Sequence, residues 1–570
     1  MGMQIKKVIR NVLVVCMLCL LIGCRNKEKD ISTKDAAYIK EDTEEVKNVE
    51  NVKEEISTQD GVVKDIKKES TDTRVNHKEE NELVFDKELY EHFLNIDYSK
   101  EYKGFGMGNP LITQSYGADP YAMVYKDRIY VYMTHDEYMY DKDGNIGTNT
   151  YATIKSLRCI SSDDLVNWTD HGTIYVGGIE GATTWANNSW APAAAWKEID
   201  GEDKFFLYFA NSASSIGVLE ADNPFGPFRD PIGKPIITRE TPNCSDVTWL
   251  FDPAVLMDDD GQAYIYFGGG VPVGMEAMPN TARVIKLGDD MVTTVGSAVM
   301  IEAPYVFEDS GINKIGDTYY YSYCSNWASR EGSTAEIIPN IAEIIYMTSK
   351  DPMGPWEYKG SILENPGKYF GSWGNNHHCI TEFQGSYYMF YHTQVLQDSI
   401  GVTGGYRSTH VNKLEVNEDG SLRRVIPDKY GIKQLKHFNP YQETKAVTIS
   451  NQGGISIYTH KKTSFKEAAL ISLSDIDNGD WIEVRGVDFG KEGPSTLTLE
   501  YSCEGEGGAI RVSLDKLGEN VIGYAKIEPT KSKDSFQKIT IEVNPITDVH
   551  NLYFEFVGSG YLFHSWSFAK

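Results

Sequence analysis

Three acidic residues stand at similar places ahead of short aromatic strands. Asp119 and Asp252 are each followed by proline, and a glutamate, Glu302 or Glu308, occupies the corresponding place ahead of a later strand. Converging carboxyl groups can act as general acid and general base in glycoside hydrolysis, while a third raises the pKa of the acid. A single Asp-Pro pair would only indicate a turn. Two pairs at matching offsets from a repeated strand favour a functional set.

Five stretches of the chain repeat a polar turn followed by an aromatic strand, and their aligned aromatic positions lie 55 to 76 residues apart. The stretches are KDRIYVYMTHD (126–136), EDKFFLYFANS (202–212), GQAYIYFGGG (261–270), GDTYYYSYCSN (316–326) and QGSYYMFYHTQ (384–394). Repetition of strands at this spacing is typical of small sheets arranged around an axis, a β-propeller. Because the inner strand of each blade faces the central funnel, acidic residues distant in sequence would meet there.

The repeat predicts the propeller over residues 89–438, and a second domain follows it. After Pro440 apolar and polar residues alternate, as in DWIEVRGVDFG (480–490) and STLTLEYSC (495–503). Alternation over short segments with turns between them predicts half-buried strands. Residues 439–570 are therefore interpreted as a separate β-sandwich of the jelly-roll type. The predicted fold class is all-β throughout.

The first 24 residues predict a targeting segment. Basic residues precede an apolar run from Val12 to Ile22 that is too short to span a bilayer, and the run ends in LIGC at Cys24. This pattern resembles a bacterial lipobox, which implies an acylated Cys24 and a membrane-anchored, extracytoplasmic lipoprotein. An ordinary secretory signal with an incidental cysteine is the alternative. Residues 25–88 are rich in Lys, Glu and Asp and are interpreted as a solvated tether.

The overall composition excludes one class of partner. The net charge is −27, which argues against binding nucleic acid, because nothing would neutralise the phosphates. Five cysteines remain beyond the targeting segment, scattered and without metal-ligand spacing, so buried free thiols are expected rather than a disulfide network. A monomer is expected.

Residues 104–430 resemble glycoside hydrolase family 43, a five-bladed propeller family of inverting enzymes. Asp119, in the sequence ADP, matches the general base of the family. Asp252, in FDPAVLMDDDG, matches the acid that raises the pKa of the general acid and orients it. Trp190, in SWAPAAAW, matches a tryptophan that lines the sugar pocket. An inverting mechanism implies carboxyl groups about 6.5–9.5 Å apart, with a water molecule between base and sugar.

The resemblance also chooses between the two glutamates. In the family, a Lys or similar residue follows the general acid by six positions, and the aromatic strand follows it by about eleven. Lys314 and Tyr319 stand at these offsets from Glu308, whereas Tyr319 lies seventeen residues after Glu302. Glu308 is therefore the predicted general acid. The residues after it, Asp309-Ser310, depart from the family pattern.

Other family positions map onto the fourth and fifth repeats. His377, in GNNHHCITEF, aligns with a histidine on the propeller axis that helps to hold a hydrated calcium ion or a water molecule; a histidine bonded to the backbone is the alternative. Its neighbour His378 is expected to point the other way, because side chains alternate along a strand. Asn326 and Arg407 resemble residues that bind substrate. No organic cofactor is implied.

Residues 443–570 resemble a family 6 carbohydrate-binding module. That family commonly sandwiches a sugar between two aromatic rings and adds an Asn near the C-terminus. Here Leu473, Phe536 and His564 stand at the three places. Sugar binding at the usual loop site and a bracing role for this domain are both open.

Together the resemblances imply an enzyme that releases arabinofuranosyl branches from arabinoxylan. A β-xylosidase or an endo-arabinanase of the same family is the alternative. A glycan-binding surface lipoprotein without catalysis is the alternative from a different class, but three intact acidic positions favour the enzyme.

Overall fold

The computed structural model describes residues 87–460 and 468–570. The predicted targeting segment, Cys24 and all but the last two residues of the predicted tether lie outside the described residues, so these assignments stay predictions. Within the described ranges, no helix is long and apolar enough to cross a bilayer. The helices there are short: α1 (Lys87–His92), a 3-10 turn (Tyr151–Thr153), α2 (Gly367–Phe370) and α3 (Val395–Ile400).

The first domain is a five-bladed β-propeller, as the aromatic repeat predicts. Its strands are, in blade 1, β1 (Ala118–Tyr125), β2 (Arg128–Thr134), β3 (Ser156–Ser162) and β4 (Trp168–Tyr175); in blade 2, β5 (Trp190–Ile199), β6 (Glu202–Asn211) and β7 (Ser215–Ala221); in blade 3, β8 (Ala254–Met257), β9 (Ala263–Gly268), β10 (Ala282–Leu287) and β11 (Thr294–Ile301); in blade 4, β12 (Val306–Ile315), β13 (Thr318–Ser325), β14 (Ile344–Ser349) and β15 (Glu357–Leu363); and in blade 5, β16 (His378–Phe383), β17 (Ser386–Thr393) and β18 (Ser408–Leu414).

Each aromatic repeat forms the second strand of its blade, namely β2, β6, β9, β13 and β17. The first strands contact one another in a closed ring, with β1 meeting both β5 and β16, so they are the inner strands. Aromatic side chains from the second strands fill the seams between neighbouring blades. Large rings suit these seams, because each buries much apolar surface on a pleated sheet.

The C-terminal domain is built around one nine-stranded antiparallel sheet. Its strands are β19 (Thr444–Lys445), β21 (Asn451–Gly453), β22 (Ser456–Thr459), β23 (Ile471–Ser474), β24 (Trp481–Asp488), β25 (Thr496–Leu514), β26 (Val521–Ile527), β27 (Gln537–Glu542) and β28 (Val549–Ala569). The long strands β25 and β28 pair along most of their length. A single apolar core holds this domain together, and Trp566 and Phe563 are buried within it.

The two domains share a strand. A two-residue strand β20 (Thr448–Ile449) leaves the C-terminal domain and pairs with β4, which makes it the fifth strand of blade 1. The segment after α1 also bonds to the C-terminal domain, where the Ser99 amide donates to the Gly479 carbonyl oxygen. All five cysteines of the described residues are free and buried, which confirms the expectation of thiols without disulfides.

Candidate active site

Asp119 lies at an irregularity near the start of β1. The strand register slips between Ala118 and Tyr121, and Asp119 adopts a positive φ of 49°. Such a bulge re-aims a side chain out of the regular alternation. The Asp119 carboxylate accepts a hydrogen bond of 2.9 Å from Arg407, and its backbone N–H donates to His392 Nδ1 at 3.0 Å. Burial opposes ionisation, but Arg407 and then His377 hold the pKa of Asp119 well below its usual range.

A second carboxylate fixes Arg407. Asp136 accepts bonds from Arg407 Nε at 2.9 Å and from Nη2 at 2.8 Å, and Arg407 is almost fully buried. Burial disfavours the cation, yet Asp119 and Asp136 raise the pKa of Arg407 well above its usual value. Paired and hydrogen-bonded charges of this kind tolerate burial. Arg407 therefore touches the predicted base directly, a contact that its predicted role in substrate binding did not include.

Asp252 and Glu308 join Asp119 in one buried group of carboxyl side chains, the acidic cluster. Asp252 also has a positive φ, of 48°, and its Oδ2 accepts a bond of 2.9 Å from the Asp309 N–H. Glu308 is buried, and its Oε1 has no hydrogen-bond partner in the described structure. Burial and the negative charges of Asp252 and Asp119 raise the pKa of Glu308 well above its usual value. Glu308 is thus favoured as a protonated acid.

The structure separates the two glutamates considered for this position. Glu302 is exposed and lies beyond the end of β11. Glu308 lies on the inner strand β12, between two shifts in its register with β13, and pairs with Cys324. These bulges let Glu308 and its neighbour Asp309 both face the buried cluster, although adjacent residues of a regular strand point apart.

His377 and His378 both contact Asp309, which corrects the expectation that they point in opposite directions. His377 Nε2 lies 3.2 Å from Asp309 Oδ1, and His378 Nδ1 lies 2.5 Å from Oδ2. Strand alternation does not apply, because β16 begins at His378 and His377 precedes it. Burial lowers the pKa of both imidazoles, that of His378 to about 3. His378 Nε2 also contacts the hydroxyl of Ser322 at 2.7 Å.

Trp190 contributes to the site through a neighbour. Its indole Nε1 donates to the Tyr151 carbonyl oxygen at 2.8 Å. The ring of Tyr151 in turn lies 4.8 Å from the guanidinium carbon of Arg407. Tyr151 is 39% exposed, so its ring borders the open side of the cluster. Trp190 therefore holds in place an aromatic ring that no sequence motif indicated.

Asn326 is engaged within the protein. Its Nδ2 donates to the Glu276 carbonyl oxygen at 2.8 Å, and its Oδ1 accepts bonds from the Ala328 N–H and from Arg330. These bonds tie together two loops at the end of blades 3 and 4. In this structure the side chain supports the loops, and its predicted contact with substrate stays a prediction.

A cavity of about 610 Å³ is lined by loops of blade 4 and by the segment that leads into blade 5. Trp327 and Trp373 border it and are 40% and 55% exposed. Trp327 follows β13 directly, and Trp373 stands four residues before His377, so both belong to the face of the propeller that carries Glu308. Glu364 and Lys368, which also line the cavity, pair at 2.6 Å. Exposed indole rings beside paired polar groups are suited to stacking against a sugar.

At the usual loop site of the C-terminal domain, a polar network takes the place of two free aromatic rings. Leu473 is fully buried in the core. His564 Nδ1 contacts the Ser472 hydroxyl at 3.0 Å, and the same hydroxyl contacts His460 at 2.9 Å. Phe536 packs against His564, with ring centroids 4.8 Å apart.

The sequence was compared with models of protein families and with known proteins. The family model "Glycosyl hydrolases family 43" matches residues 107–422, and "Carbohydrate binding module (family 6)" matches residues 445–570. An arabinoxylan arabinofuranohydrolase from Paenibacillus polymyxa is 47% identical over 80% of this chain and 72% of its own length. One from Bacillus subtilis (strain 168) is 45% identical over 82% of this chain and 93% of its own length.

Similarity to a solved structure agrees with these matches. A crystal structure of a family 43 arabinoxylan arabinofuranohydrolase from Bacillus subtilis, in complex with cellotetraose, superposes with a TM-score of 0.78. It is 44% identical to this chain and covers 82% of it and 98% of its own length. A buried cluster of three acids on a five-bladed propeller, a matching family model and relatives of this similarity lead to one assignment. The chain belongs to glycosyl hydrolase family 43 and is a glycoside hydrolase.

Proposed function

We propose that this enzyme releases arabinofuranosyl branches from arabinoxylan with inversion at the anomeric carbon. The observation that carries the mechanism is the unequal charge environment of two buried carboxyl groups. Asp119 bonds to Arg407, whereas Glu308 has no cation bonded to it and an unpartnered Oε1. The substrate class is supported by the names of the two relatives, both arabinoxylan arabinofuranohydrolases.

In the proposed reaction, Asp119 accepts a proton from a water molecule whose oxygen forms a bond to the anomeric carbon. The bond between that carbon and the leaving oxygen breaks on the opposite face. Glu308 donates its proton to the leaving oxygen, so Asp119 ends the reaction protonated and Glu308 ends it ionised. Burial and then Asp119 raise the pKa of Asp252 as well, and a negative charge on Asp252 raises the pKa of Glu308 and favours its protonated form. Arg407 keeps Asp119 ionised and oriented.

The cavity bordered by Trp327 and Trp373 supplies a place for the remainder of the polymer. A branch sugar that enters the acidic cluster stays attached to its backbone until the bond breaks. The two exposed indole rings, on the face of the propeller that carries Glu308, offer stacking surfaces for that backbone. An aryl arabinofuranoside lacks the backbone and would leave this cavity empty.

The test is an incubation of purified protein with arabinoxylan, linear arabinan and aryl glycosides, followed by identification of the released sugar. Arabinose from arabinoxylan is expected. Trp373→Ala is expected to raise KM for arabinoxylan roughly fivefold, because it removes one stacking contact worth about 1 kcal/mol, and to leave KM for the aryl arabinofuranoside unchanged. Trp196→Ala, which removes another partly exposed indole on a different blade, is the matched control. Release of xylose alone would favour the β-xylosidase alternative, and no pentose from any substrate would refute the proposal.

We also propose that a hydrated calcium ion binds beside His377. The His377 ring nitrogens lie 3.6, 3.8 and 3.2 Å from carboxyl oxygens of Asp119, Asp252 and Asp309, so three carboxyl groups surround the imidazole. Calcium prefers oxygen ligands, so His377 would hold it through water molecules, and the ion would add positive charge to the acidic cluster.

Calcium added to chelator-treated protein is expected to raise the melting temperature, since a ligand at 100 times its Kd stabilises the folded state by about 2.7 kcal/mol. His377→Ala should remove this gain, while the exposed His437→Ala keeps it. A melting temperature that does not respond to calcium in the unsubstituted protein would contradict the proposal.

A further inference from the structure

Tyr121 crosses the axis of the propeller. It lies on β1 in blade 1, and its hydroxyl donates to the Val255 carbonyl oxygen at 2.9 Å and accepts from the Val255 N–H at 3.1 Å. Val255 lies on β8 in blade 3, and blade 2 stands between these blades in the ring. The side chain therefore spans the central channel. Its ring packs against the apolar clusters of four of the five seams between blades.

Two further side chains lie at the same level of the channel. Thr381 Oγ1 donates to the Ala122 carbonyl oxygen at 3.0 Å, and Asn313 Nδ2 donates to the Ile380 carbonyl oxygen at 2.8 Å. The channel-facing edges of the inner strands have no further strand to pair with, so their backbone groups need such partners. Together with Tyr121, these side chains form a floor across the channel.

The floor residues border a cavity in the channel, and the acidic cluster lies toward the starts of the strands. A cavity of about 710 Å³ lies at this level of the channel and is lined by residues of all five inner strands, including Tyr121, Asn313, Thr381 and Lys314. The acidic cluster lies at the starts of the same strands. Asp119 precedes Tyr121 by two residues, and Asp252 precedes Val255 by three. A single side chain thus links the strand segment that carries the proposed base to the segment that carries the proposed pKa-raising acid.

Both aspartates adopt a backbone conformation that is unfavourable for a residue other than glycine. Their φ values of 49° and 48° lie in the left-handed region, which costs of order 1–3 kcal/mol for a residue other than glycine and persists only when the surroundings fix it. The two bonds tie the Val255 backbone, three residues after Asp252, to the side chain of Tyr121, two residues after Asp119. The seam contacts of the ring would persist without the hydroxyl, but this cross-link would not.

We propose that Tyr121 is a positioning residue for the hydrolytic site, which closes the channel beneath the acidic cluster and sets the placement of Asp252 relative to Asp119. The proposal rests on the proposed function. It assigns Tyr121 no contact with the reacting atoms. Its effect on the reaction comes from the geometry of the two aspartates above it.

The test compares Tyr121→Phe with Tyr266→Phe. Tyr266 lies on β9, next to β8, and its hydroxyl donates to the Pro352 carbonyl oxygen at 2.6 Å away from the axis. Tyr121→Phe is expected to lower kcat on arabinoxylan about tenfold or more with little change in KM, because small displacements of catalytic groups cost up to about a hundredfold in rate. Tyr266→Phe should keep kcat within about twofold of the unsubstituted enzyme at a similar loss of melting temperature.

A substrate-free measurement distinguishes this proposal from the proposed function. A crystal structure of Tyr121→Leu is expected to show a channel open through the floor and a changed separation of the Asp119 and Asp252 carboxylates. If the unsubstituted protein releases no pentose, the proposed function fails, and the crystal structure alone then tests the positioning role of Tyr121. An unchanged separation, or a kcat of Tyr121→Phe equal to that of Tyr266→Phe, would reduce Tyr121 to a packing residue and overturn the proposal.

Discussion

Glu308→Gln is expected to lower kcat on arabinoxylan by about 10²- to 10⁴-fold, the range that a positioned general acid contributes. Glutamine preserves the shape of the side chain and introduces no charge into a site that holds Glu308 buried. The variant lacks only the proton that the leaving oxygen requires. An aryl arabinofuranoside with an acidic phenol as leaving group needs little protonation, so its kcat should fall much less. The measurement is the rate of arabinose and phenol release under saturating substrate.

Glu302→Gln is the matched control for this prediction. Glu302 is six residues earlier in the chain and exposed, so its substitution should change kcat less than twofold on either substrate. Loss of activity in Glu302→Gln with retention in Glu308→Gln would show that Glu302, and not Glu308, is the general acid. Equal loss on natural and aryl substrates in Glu308→Gln would show that the residue acts otherwise than as a proton donor.

Local sequence patterns were sufficient to predict the propeller. Each blade contains one strand whose aromatic residues fill a seam, and this requirement recurs at every blade, so it leaves a repeated signal in the chain. The strand β20 left no comparable signal. It pairs through Thr448 and Ile449 only, and its partner β4 belongs to another domain. Two residues carry no periodicity, so their pairing could not be predicted from the sequence.

The candidate site was predictable where backbone geometry fixes the spacing. Asp119 and Asp252 stand at similar offsets ahead of the aromatic strands β2 and β9, and both adopt the same left-handed conformation. Glu308 was identified through family resemblance, since two bulges in β12 break the alternation that a strand pattern assumes. Asp136 and His392 were missed, because each is brought to the cluster by the end of a second strand and no motif surrounds it. The electrostatic asymmetry of the site depends on these missed residues.

Arg407 creates that asymmetry. It is bonded to Asp119 and Asp136, so its positive charge stabilises the ionised form of the base far more than that of Glu308. Burial and two neighbouring carboxylates act on Glu308 in the opposite sense. Asp119 and Glu308, two carboxyl groups of one acidic cluster, are thereby held in different protonation states at the same pH, which acid–base hydrolysis requires. The arrangement makes a specific demand on Asp119, which must supply a negative charge and not only a hydrogen-bond acceptor.

Asp119→Asn is therefore expected to lower kcat by about 10²- to 10⁴-fold on arabinoxylan and on aryl arabinofuranosides alike, because neither substrate replaces the base that activates water. This equal loss contrasts with the unequal loss expected for Glu308→Gln. Asparagine tolerates the positive φ of Asp119, so the backbone at the bulge should be retained. The measurements are kcat on both substrates and the melting temperature.

The control is Asp200→Asn, an exposed aspartate with a similar φ of 54° in the turn between β5 and β6. It makes the same chemical change in the same backbone conformation, away from the cluster, and should leave kcat unchanged. If Asp119→Asn retained activity on either substrate, Asp119 could not be the base. A loss on arabinoxylan alone would instead place Asp119 among the groups that bind the polymer, and the proton from water would require another acceptor.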